Sequence, residues 1–205
     1  SRFLGADNGA EFASIGLAQR YYFSTQRVTL PGVAPRTNNN SDLLAAISGN
    51  IGPRWSVNAG WQYSTDVSQT QKFNIGTRYQ PKPGSVFNAS YRETINTLQQ
   101  TDVSAQWPFF GGWTGLMRWN YSLLENRTLE SLVGTEYNAN CWSLRVVAHR
   151  FAVTTQQVST TFFLQLELNG VSRIGSNPLD TVRRNIAGYS RQDPRAARSG
   201  DGLPA

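Results

Sequence analysis

Apolar and polar residues alternate with a period of two along most of the chain. Between Glu11 and Asn169 this alternation falls into ten segments of about ten residues, each bounded by turn residues such as Gly, Pro, Asn and Ser. In the clearest segment, Trp55 to Ser64, aromatic and aliphatic side chains alternate with Ser, Asn, Gly and Gln. Because successive side chains of a strand point to opposite faces, the pattern predicts β-strands with one apolar and one polar face.

The length of these segments matches that of a strand crossing a bilayer, which needs about 9–11 residues when tilted. No stretch approaches the roughly 18 consecutive apolar residues that a membrane-spanning helix requires. We therefore predict an all-β fold of about ten antiparallel transmembrane strands from an outer-membrane β-barrel. A soluble β-sandwich with one buried face is the alternative that explains the same alternation.

Charged residues follow the alternation too. Within the segments nearly every charge lies on the polar face, as expected if the other face meets lipid, where a cation at the membrane midplane costs about 2–4 kcal/mol. These charges could guide a phosphorylated, sugar-rich headgroup or contact a plug protein, or they could form a solvated wall of cross-strand ion pairs. The predicted lumen-facing charges are Arg20, Lys72, Arg78, Arg92, Asp102, Arg118, Glu130, Glu136, Arg145 and Glu167.

The connections between segments alternate in length, which predicts an orientation. The shorter set comprises Gly52 to Arg54, Pro81 to Gly84, Pro108 to Gly112 and Asn138 to Asn140. Since outer-membrane barrels have short periplasmic turns, both ends of the strand array are expected to face the periplasm. The apolar-face aromatic residues then form two belts, which a sandwich does not explain. The periplasmic belt comprises Trp55, Tyr79, Trp107, Trp113, Tyr137 and Trp142, and the outer belt comprises Tyr21, Phe23, Tyr63, Tyr91 and Tyr121.

Composition agrees with a barrel and argues against nucleic-acid binding. A hydrophobic content of 39% and a mean hydropathy of -0.42 are low for a water-soluble core in 205 residues. Half of the net charge of +6 lies in residues 170–205, which hold six arginines and three aspartates, while the segments carry no basic stripe. We expect no nucleic-acid partner, and residues 190–205 read as disordered.

The chain offers few residues for catalysis or metal binding. Cys141 is its one cysteine and His149 its one histidine, so we expect no cofactor, no multi-cysteine metal site and no internal disulfide. His149 is placed near the outer rim, where small ten-stranded outer-membrane proteases keep catalytic residues. No aspartate in the neighbouring segments is an obvious second member of a catalytic pair, and we predict that the chain is not an enzyme.

Several stretches resemble one protein family. "YNANCWSLRVVAHRF" (137–151), "FFLQLELNGV" (162–171) and "LDTVRRNIAGY" (179–189) look like the C-terminal end of the LPS-assembly protein LptD family, also called the organic solvent tolerance family. "QRYYF" (19–23) and "QRVTLPG" (26–32) resemble a strand and loop further upstream in that family. The resemblance therefore spans most of residues 11–189.

The resemblance implies a fragment of a very large barrel that places lipopolysaccharide in the outer leaflet of the bacterial outer membrane. The implied partners are lipopolysaccharide, an LptE-like plug lipoprotein, the barrel-assembly machinery, outer-membrane lipid and, through a missing N-terminal domain, a periplasmic LPS-bridge protein. On this view residues 1–10 are an incomplete edge, 11–169 are strands of the barrel and 170–205 are a periplasmic tail with a disordered end. The absence of a signal peptide is expected of such a fragment, or of a chain whose signal has been removed.

The resemblance also implies roles for particular residues. It makes 158–168 the last strand of the barrel, on one side of a lateral gate, with Val158, Phe162, Leu164, Leu166 and Leu168 as its lipid-facing residues. Cys141 is implied to take part in a disulfide, with Asn140 standing where the family has the first cysteine of a pair. A self-contained ten-stranded porin or binding barrel remains the alternative, and it requires residues 11–23 to pair with 158–168. An outer-membrane hydrolase is less favoured.

Overall fold

A computed structural model describes residues 1–4, 11–19, 21, 23, 41–139, 141–154, 157–168 and 172–190. These residues form strands and one short helix. The strands are β1 (Arg2–Leu4), β2 (Glu11–Ala18), β3 (Leu43–Ile51), β4 (Trp55–Ser64), β5 (Gln69–Lys82), β6 (Ser85–Thr94), β7 (Leu98–Pro108), β8 (Trp113–Ser122), β9 (Arg127–Ala139), β10 (Trp142–Ala152), β11 (Val158–Leu168) and β12 (Ser172–Gly175). The helix is α1 (Leu179–Asn185).

All strands belong to one antiparallel sheet in which each strand pairs with its neighbours in the sequence, from β1 to β12. The ten predicted segments are β2 to β11, so the all-β prediction and the placing of these strands are confirmed. The sequence pattern did not predict β1, β12 or α1. β1 has three residues and β12 has four, which is too short for alternation to be recognisable.

The strand register confirms that the sheet has one polar and one apolar face. Asn58 lies opposite Gly76, which lies opposite Ser90, which in turn lies opposite Asp102. The adjacent residue on each strand points to the other face, and the row that these residues form is largely apolar. It consists of Ile47, Ala59, Ile75 and Tyr91. We call the face that carries Asn58 and Asp102 the inner face and the opposite one the outer face.

Two residues that fit the alternation poorly are explained by their neighbours. Arg150 lies on the outer face, where its partners in the register are Ser131 and Thr160, so it belongs to a short polar row. Phe151 lies on the inner face and packs against the ring of His149, with 5.2 Å between ring centroids. Both residues lie close to the end of β10, where the apolar face of the sheet ends.

The connections between strands differ less in length than the sequence suggested. The turn expected at Pro81 to Gly84 is shorter, because β5 continues to Lys82, with an irregularity in the pairing between Tyr79 and Lys82 that accommodates Pro81. At the opposite end of the sheet the connection 95–97 is as short as Gly52 to Arg54, and the connections 65–68 and 123–126 are one residue longer. The prediction that both ends of the strand array face the periplasm therefore rests mainly on the long connection after β2.

The edges of the sheet are β1 and β12, and no strand pair in the described residues joins β2 to β11. A self-contained ten-stranded barrel would need that pairing. β12 pairs with only part of β11, from Gln165 opposite Gly175 to Leu168 opposite Ser172. Ser176 extends this contact by donating its backbone N–H to the Leu164 carbonyl at 3.0 Å. The N-terminal half of β11, residues 158–163, keeps an unpaired edge in the part of the chain that the structure covers.

The buried apolar core lies, unexpectedly, on the inner face. Val86, Leu116, Leu132 and Val147 are at most 2% exposed and form what we call the inner-face patch. Phe163 packs beside them. The patch is covered by α1 and the turn after it, which bury Val182 and Ile186 completely. Residues 172–190 thus fold back over the sheet instead of leaving it.

α1 has seven residues. Throughout the described residues, no helix is both long enough and apolar enough to cross a membrane.

Candidate functional site

The inner face is the candidate functional site because it carries the predicted lumen-facing charges. The register places Lys72, Arg78, Arg92, Asp102, Arg118, Glu130, Glu136, Arg145 and Glu167 on this face. Arg20 lies outside the described residues. The sequence left open whether these charges bind a ligand or pair with each other. The structure separates them into a paired group and an unpaired group.

The most deeply buried of the paired charges is Arg145, whose side chain is fully shielded from solvent. It lies between strands β9 and β11, opposite Glu136 on one side and Gln165 on the other. Nη2 donates to Glu136 at 3.0 Å, and Nη1 donates at 3.0 Å to both Gln165 and Glu167. Nε is buried without a hydrogen-bond partner among the described residues. We call Arg145, Glu136, Gln165, Glu167 and Tyr189 the Arg145 cluster.

A second paired cluster surrounds Arg118 on β8. Its guanidinium contacts Asp102 and Glu130, each at 2.8 Å, from the strands on either side. It also donates a hydrogen bond to the Asn185 side chain of α1. Glu130 in turn lies 2.7 Å from Nε2 of His149. For these residues the ion-pair alternative is the correct description, and it is extended by a contact to the helix.

His149 therefore has an acidic partner, which the sequence did not reveal. From the sequence only aspartates were considered, whereas the partner is a glutamate on β9, two residues from Leu132, the residue that lies opposite His149 in the register. Because Glu130 is also the counterion of Arg118, the pair belongs to a structural network. Within the described residues no group of three or more His, Cys, Asp or Glu side chains is placed to hold a metal ion.

Polar contacts lock the chain after α1 onto the inner face. Gln106 donates to the Ser190 carbonyl at 2.8 Å and accepts from its N–H at 3.0 Å. Asn88 donates to the Ala187 carbonyl at 2.9 Å. Gly188 has a φ of +83°, a left-handed conformation that glycine adopts without strain, and this turns the chain so that Tyr189 reaches the sheet. The segment is thus fixed by backbone contacts as well as by apolar burial.

Tyr189 joins this segment to the Arg145 cluster. Its hydroxyl donates to Glu136 at 3.0 Å, on the carboxylate oxygen that Arg145 does not use. Burial raises the pKa of the Tyr189 hydroxyl, and the negative charge of Glu136 raises it further, while Arg145 lowers it. The phenol is therefore held in its neutral form, in which it can donate the hydrogen bond.

Arg78 and Arg92, which form no ion pair among the described residues, line a groove of about 540 Å³ on the inner face of strands β2 to β8. We call it the arginine groove, because Arg78, Arg92, Arg118 and Arg184 line it. Arg184 comes from α1, so the groove is built jointly by the sheet and by the segment that folds over it. Ser, Asn and Gly residues of the strands form its floor. Lys72 lies on the same face outside this groove.

The predicted aromatic belts consist of side chains in contact with each other on the outer face. In the first belt Trp55 and Tyr79 have ring centroids 4.5 Å apart. Tyr137 lies between Trp113 and Trp142, at 4.8 and 5.2 Å. Trp107 is 39% exposed at the same end of the sheet. Aromatic pairs also occur at the opposite end: Tyr21 with Phe23, Trp61 with Tyr63, Phe73 with Tyr91 and Trp119 with Tyr121.

Known proteins resemble this chain along nearly its whole length. The family model described as LptD, LPS transport system D, matches residues 1–113. The LPS-assembly protein LptD of Thiobacillus denitrificans is 47% identical over 92% of the chain. Those of Aromatoleum aromaticum and Nitrosomonas eutropha are 41% and 43% identical over 93% and 94% of it.

The chain belongs to the LptD family. It spans about a quarter of the length of these relatives, of which it covers 26%, 24% and 26%. The resemblance noted over most of residues 11–189 is therefore confirmed. Among the described residues β1 and β12 are the edge strands of the sheet.

The disulfide that the LptD resemblance implies for Cys141 stays a prediction. Cys141 is a free, exposed thiol in the turn between β9 and β10. Since the chain has a single cysteine, any disulfide that Cys141 forms must join it to a different part of the protein or to another protein. Asn140 lies outside the described residues.

Sequence reasoning missed the residues that hold residues 179–190 on the sheet. Val86, Leu132, Val147 and Phe163 are apolar residues at positions where the alternation calls for polar ones. That departure was a readable signal, because lipid does not reach the inner face and water disfavours exposed apolar side chains. Four such residues on one face, three of them on the adjacent strands β9, β10 and β11, predict that another part of the protein covers them. The identity of the cover, residues 179–190, follows only from the tertiary structure.

Proposed function

We propose that the chain forms part of the wall of an outer-membrane barrel that inserts lipopolysaccharide into the outer leaflet. The observation that carries this proposal is membership of the LptD family over more than nine-tenths of the chain. An antiparallel sheet with an apolar outer face, a polar inner face and open edges supports it, since such a sheet suits a barrel wall. No observation favours a self-contained porin.

The proposal includes partners beyond lipopolysaccharide. We expect an LptE-like plug lipoprotein inside the complete barrel, a periplasmic LPS-bridge protein bound through upstream residues, and the barrel-assembly machinery during folding. Residues 172–190 already cover the inner face of β6 to β11, through Val86 and Gln106 at one side and the fully buried Arg145 at the other. The plug is therefore expected to contact the inner face of β2 to β5 instead. Outer-membrane lipid is expected against Phe162, Leu164 and Val133.

We propose that β11 borders the lateral gate through which the lipid leaves the barrel. Val158, Phe162 and Leu164 are 48%, 76% and 59% exposed on the outer face. Leu166 and Leu168 share that face beside β12. Because β12 pairs with the C-terminal half of β11, a seam with unpaired edge groups is limited to residues 158–163. With the orientation adopted above, this half lies toward the outer leaflet, where the lipid is to be delivered.

A depletion experiment tests the function. In a Gram-negative strain depleted of its own LptD, a full-length protein that contains this chain is expected to restore lipopolysaccharide at the cell surface. The amount is measured by antibody labelling of intact cells. A protein lacking residues 158–190 serves as the negative control. Failure of a correctly inserted, heat-modifiable full-length protein to restore surface lipopolysaccharide would overturn the proposal.

Photo-crosslinking tests the position of the gate. A photoreactive amino acid at Phe162 is expected to form lipopolysaccharide adducts during transport, because this side chain lies on the outer face of β11 beside the free edge. The matched control is Val133, which is 65% exposed on the outer face of β9, away from that edge. Adducts of equal yield at the two positions would mean that the lipid does not leave beside β11.

Cys141 is proposed to form a disulfide with the periplasmic domain of the full-length protein. Its exposure in a turn makes the thiol accessible, and the periplasm is an oxidising compartment. Non-reducing gel electrophoresis of the full-length protein is expected to show a shift that reduction abolishes and that Cys141→Ser removes. An unchanged mobility in the serine variant would argue that Cys141 is a free thiol.

A further inference from the structure

The arginine groove contains more positive charge than its own carboxylates neutralise. Two carboxylates line it, Glu11 and Asp102. Glu11 pairs with Arg2 at 3.6 Å, and Asp102 pairs with Arg118 at 2.8 Å. Each acidic group in the groove thus already has an arginine partner.

Three arginines remain without a carboxylate partner among the described residues: Arg78, Arg92 and Arg184. They lie on different elements, β5, β6 and α1, and they border one cavity. Holding like charges around one groove is unfavourable unless a counterion or an anionic ligand occupies it. In this respect they differ from Arg118 and Arg145, whose carboxylate partners are part of the fold.

Arg78 is held in a fixed orientation by Asn88, which is itself bound to the turn after α1. Its Nε donates to the Asn88 side chain at 2.9 Å. Asn88 is itself fixed by hydrogen bonds to Ser104 at 3.1 Å and to the Ala187 carbonyl at 2.9 Å. Among the described residues no hydrogen bond uses the two Nη groups of Arg78. A guanidinium fixed through Nε presents its remaining N–H groups as a planar fork, which suits the oxygens of a phosphate.

The floor of the groove suits a ligand rich in hydroxyl groups. It consists of Ser48, Asn58, Asn74 and Ser90 around Gly76, where a side chain would come within 3.1 Å of the Asn58 amide oxygen. Hydroxyl and amide groups donate and accept hydrogen bonds in the way that sugar hydroxyls require. A volume of about 540 Å³ lies in the range of sites for small ligands or headgroups.

We propose that Arg78, Arg92 and Arg184 form a binding site for a phosphorylated sugar, the phosphate-bearing headgroup of the transported lipid. This inference rests on the proposed function and names the part of the inner face that contacts the lipid in transit. It also gives residues 172–190 a role in binding, since α1 supplies Arg184 and the turn after it orients Arg78 through Asn88.

The test measures lipopolysaccharide binding to the full-length protein in lipid nanodiscs. The variants are the double substitution Arg78→Gln and Arg92→Gln, and the single substitution Arg184→Gln. The matched control is Arg54→Gln, which removes an exposed arginine in the turn between β3 and β4, outside the groove. Heat-modifiability on a gel checks that each variant is folded. A second ligand is the same lipopolysaccharide with its phosphates removed.

We expect the groove variants to bind lipopolysaccharide about tenfold or more weakly than the wild type, because each loses charge-assisted hydrogen bonds to phosphate. Arg54→Gln is expected to bind as the wild type does. The dephosphorylated lipid is expected to bind wild type and variants equally. The wild-type affinity should fall as salt rises, since two of the three arginines are exposed.

Three results overturn the site. The first is that Arg54→Gln loses as much affinity for lipopolysaccharide as the groove variants do. The second is that the groove variants bind lipopolysaccharide as tightly as the wild type does. The third is that the groove variants lose as much affinity for the dephosphorylated lipid as for the phosphorylated one. Competition by millimolar inorganic phosphate that abolishes the difference between wild type and variants would assign the groove to free phosphate instead of the headgroup. Unchanged binding in the variants, together with normal surface lipopolysaccharide in cells, rejects the groove and leaves the proposed function intact.

Discussion

At the scale of single residues, Arg145 shows how a buried charge depends on its partners. We predict that Arg145→Leu destabilises the full-length barrel by about 3–5 kcal/mol, because it removes the arginine that pairs with the buried Glu136 carboxylate. Urea unfolding followed by heat-modifiability measures the change in the free energy of unfolding. Arg150→Leu in the same strand is the control and should cost little, since Arg150 is exposed on the outer face. Equal destabilisation of the two variants would contradict the role assigned to the cluster.

The raised pKa of Tyr189 leads us to predict that the binding of residues 179–190 to the inner face depends on pH. Its pKa is raised above the ordinary value of 10.0, so the folded state favours the neutral phenol. The contribution of Tyr189 to stability is therefore complete below about pH 10 and declines as the pH rises above it, where the unfolded segment loses its proton more easily. We expect hydrogen exchange of residues 179–190 to accelerate above about pH 10 by more than base catalysis alone explains. In Tyr189→Phe this excess should be absent.

At the scale of secondary-structure elements, α1 is expected to stay on the sheet mainly through apolar burial. Ile186 is fully buried against the inner-face patch. We predict that Ile186→Ala weakens the docking of residues 179–190 by about 2–5 kcal/mol. Limited proteolysis of the tail in the full-length protein should become faster, whereas Arg183→Ala, at an exposed position of the same helix, should leave the cleavage rate unchanged. Equal cleavage of both variants would mean that the polar contacts alone hold the segment.

The two faces of β11 are expected to tolerate charge very differently. Phe162 is on the outer face, and Thr161 is on the inner face opposite His149. Phe162→Lys is predicted to lower the free energy of unfolding in lipid by about 2–4 kcal/mol, because it places a cation against hydrocarbon. Thr161→Lys, one residue earlier, should cost much less. If the two variants unfold at the same urea concentration in lipid vesicles, the outer face of β11 does not face lipid.

At the scale of the whole molecule, the open edges predict that the chain does not fold alone. In lipid, unpaired backbone N–H and C=O groups at β1 and at the start of β11 each cost several kcal/mol. We expect the isolated chain to aggregate when refolded into detergent or lipid, and to acquire β-structure when the upstream strands are co-expressed. Circular dichroism and heat-modifiability on a gel distinguish the outcomes. A compact, heat-modifiable monomer formed by this chain alone would show that the sheet closes on itself.

The repeating elements of the molecule are readable in the sequence. Strands β2 to β11, and the faces of their side chains, follow from alternation because each strand has about ten positions on which a period of two can be recognised. The placing of Lys72, Arg78 and Arg145 on one face follows for the same reason. The aromatic residues at both ends of the sheet were predicted to form belts, because the number of residues between each aromatic residue and the nearest turn fixes how far it lies from the end of the sheet.

What only the tertiary structure decided depends on contacts between residues far apart in the sequence. Alternation places a charge on a face, but it does not say whether the charge meets a carboxylate on a neighbouring strand, as Arg145 does, or borders an open groove, as Arg92 does. That difference depends on register, which turn geometry and packing set across the sheet.

The segment after β11 shows the same limit more clearly. The family resemblance implied a periplasmic tail over residues 170–205, and nothing in the sequence analysis predicted that Val182 and Ile186 are buried on the inner face. A helix of seven residues is too short to be stable by its own hydrogen bonds and forms because the inner-face patch binds it. The sequence by itself thus determined the two-faced strands and the family. The pairing of charges and the docking of residues 172–190 were decided by long-range packing, which no local pattern encodes.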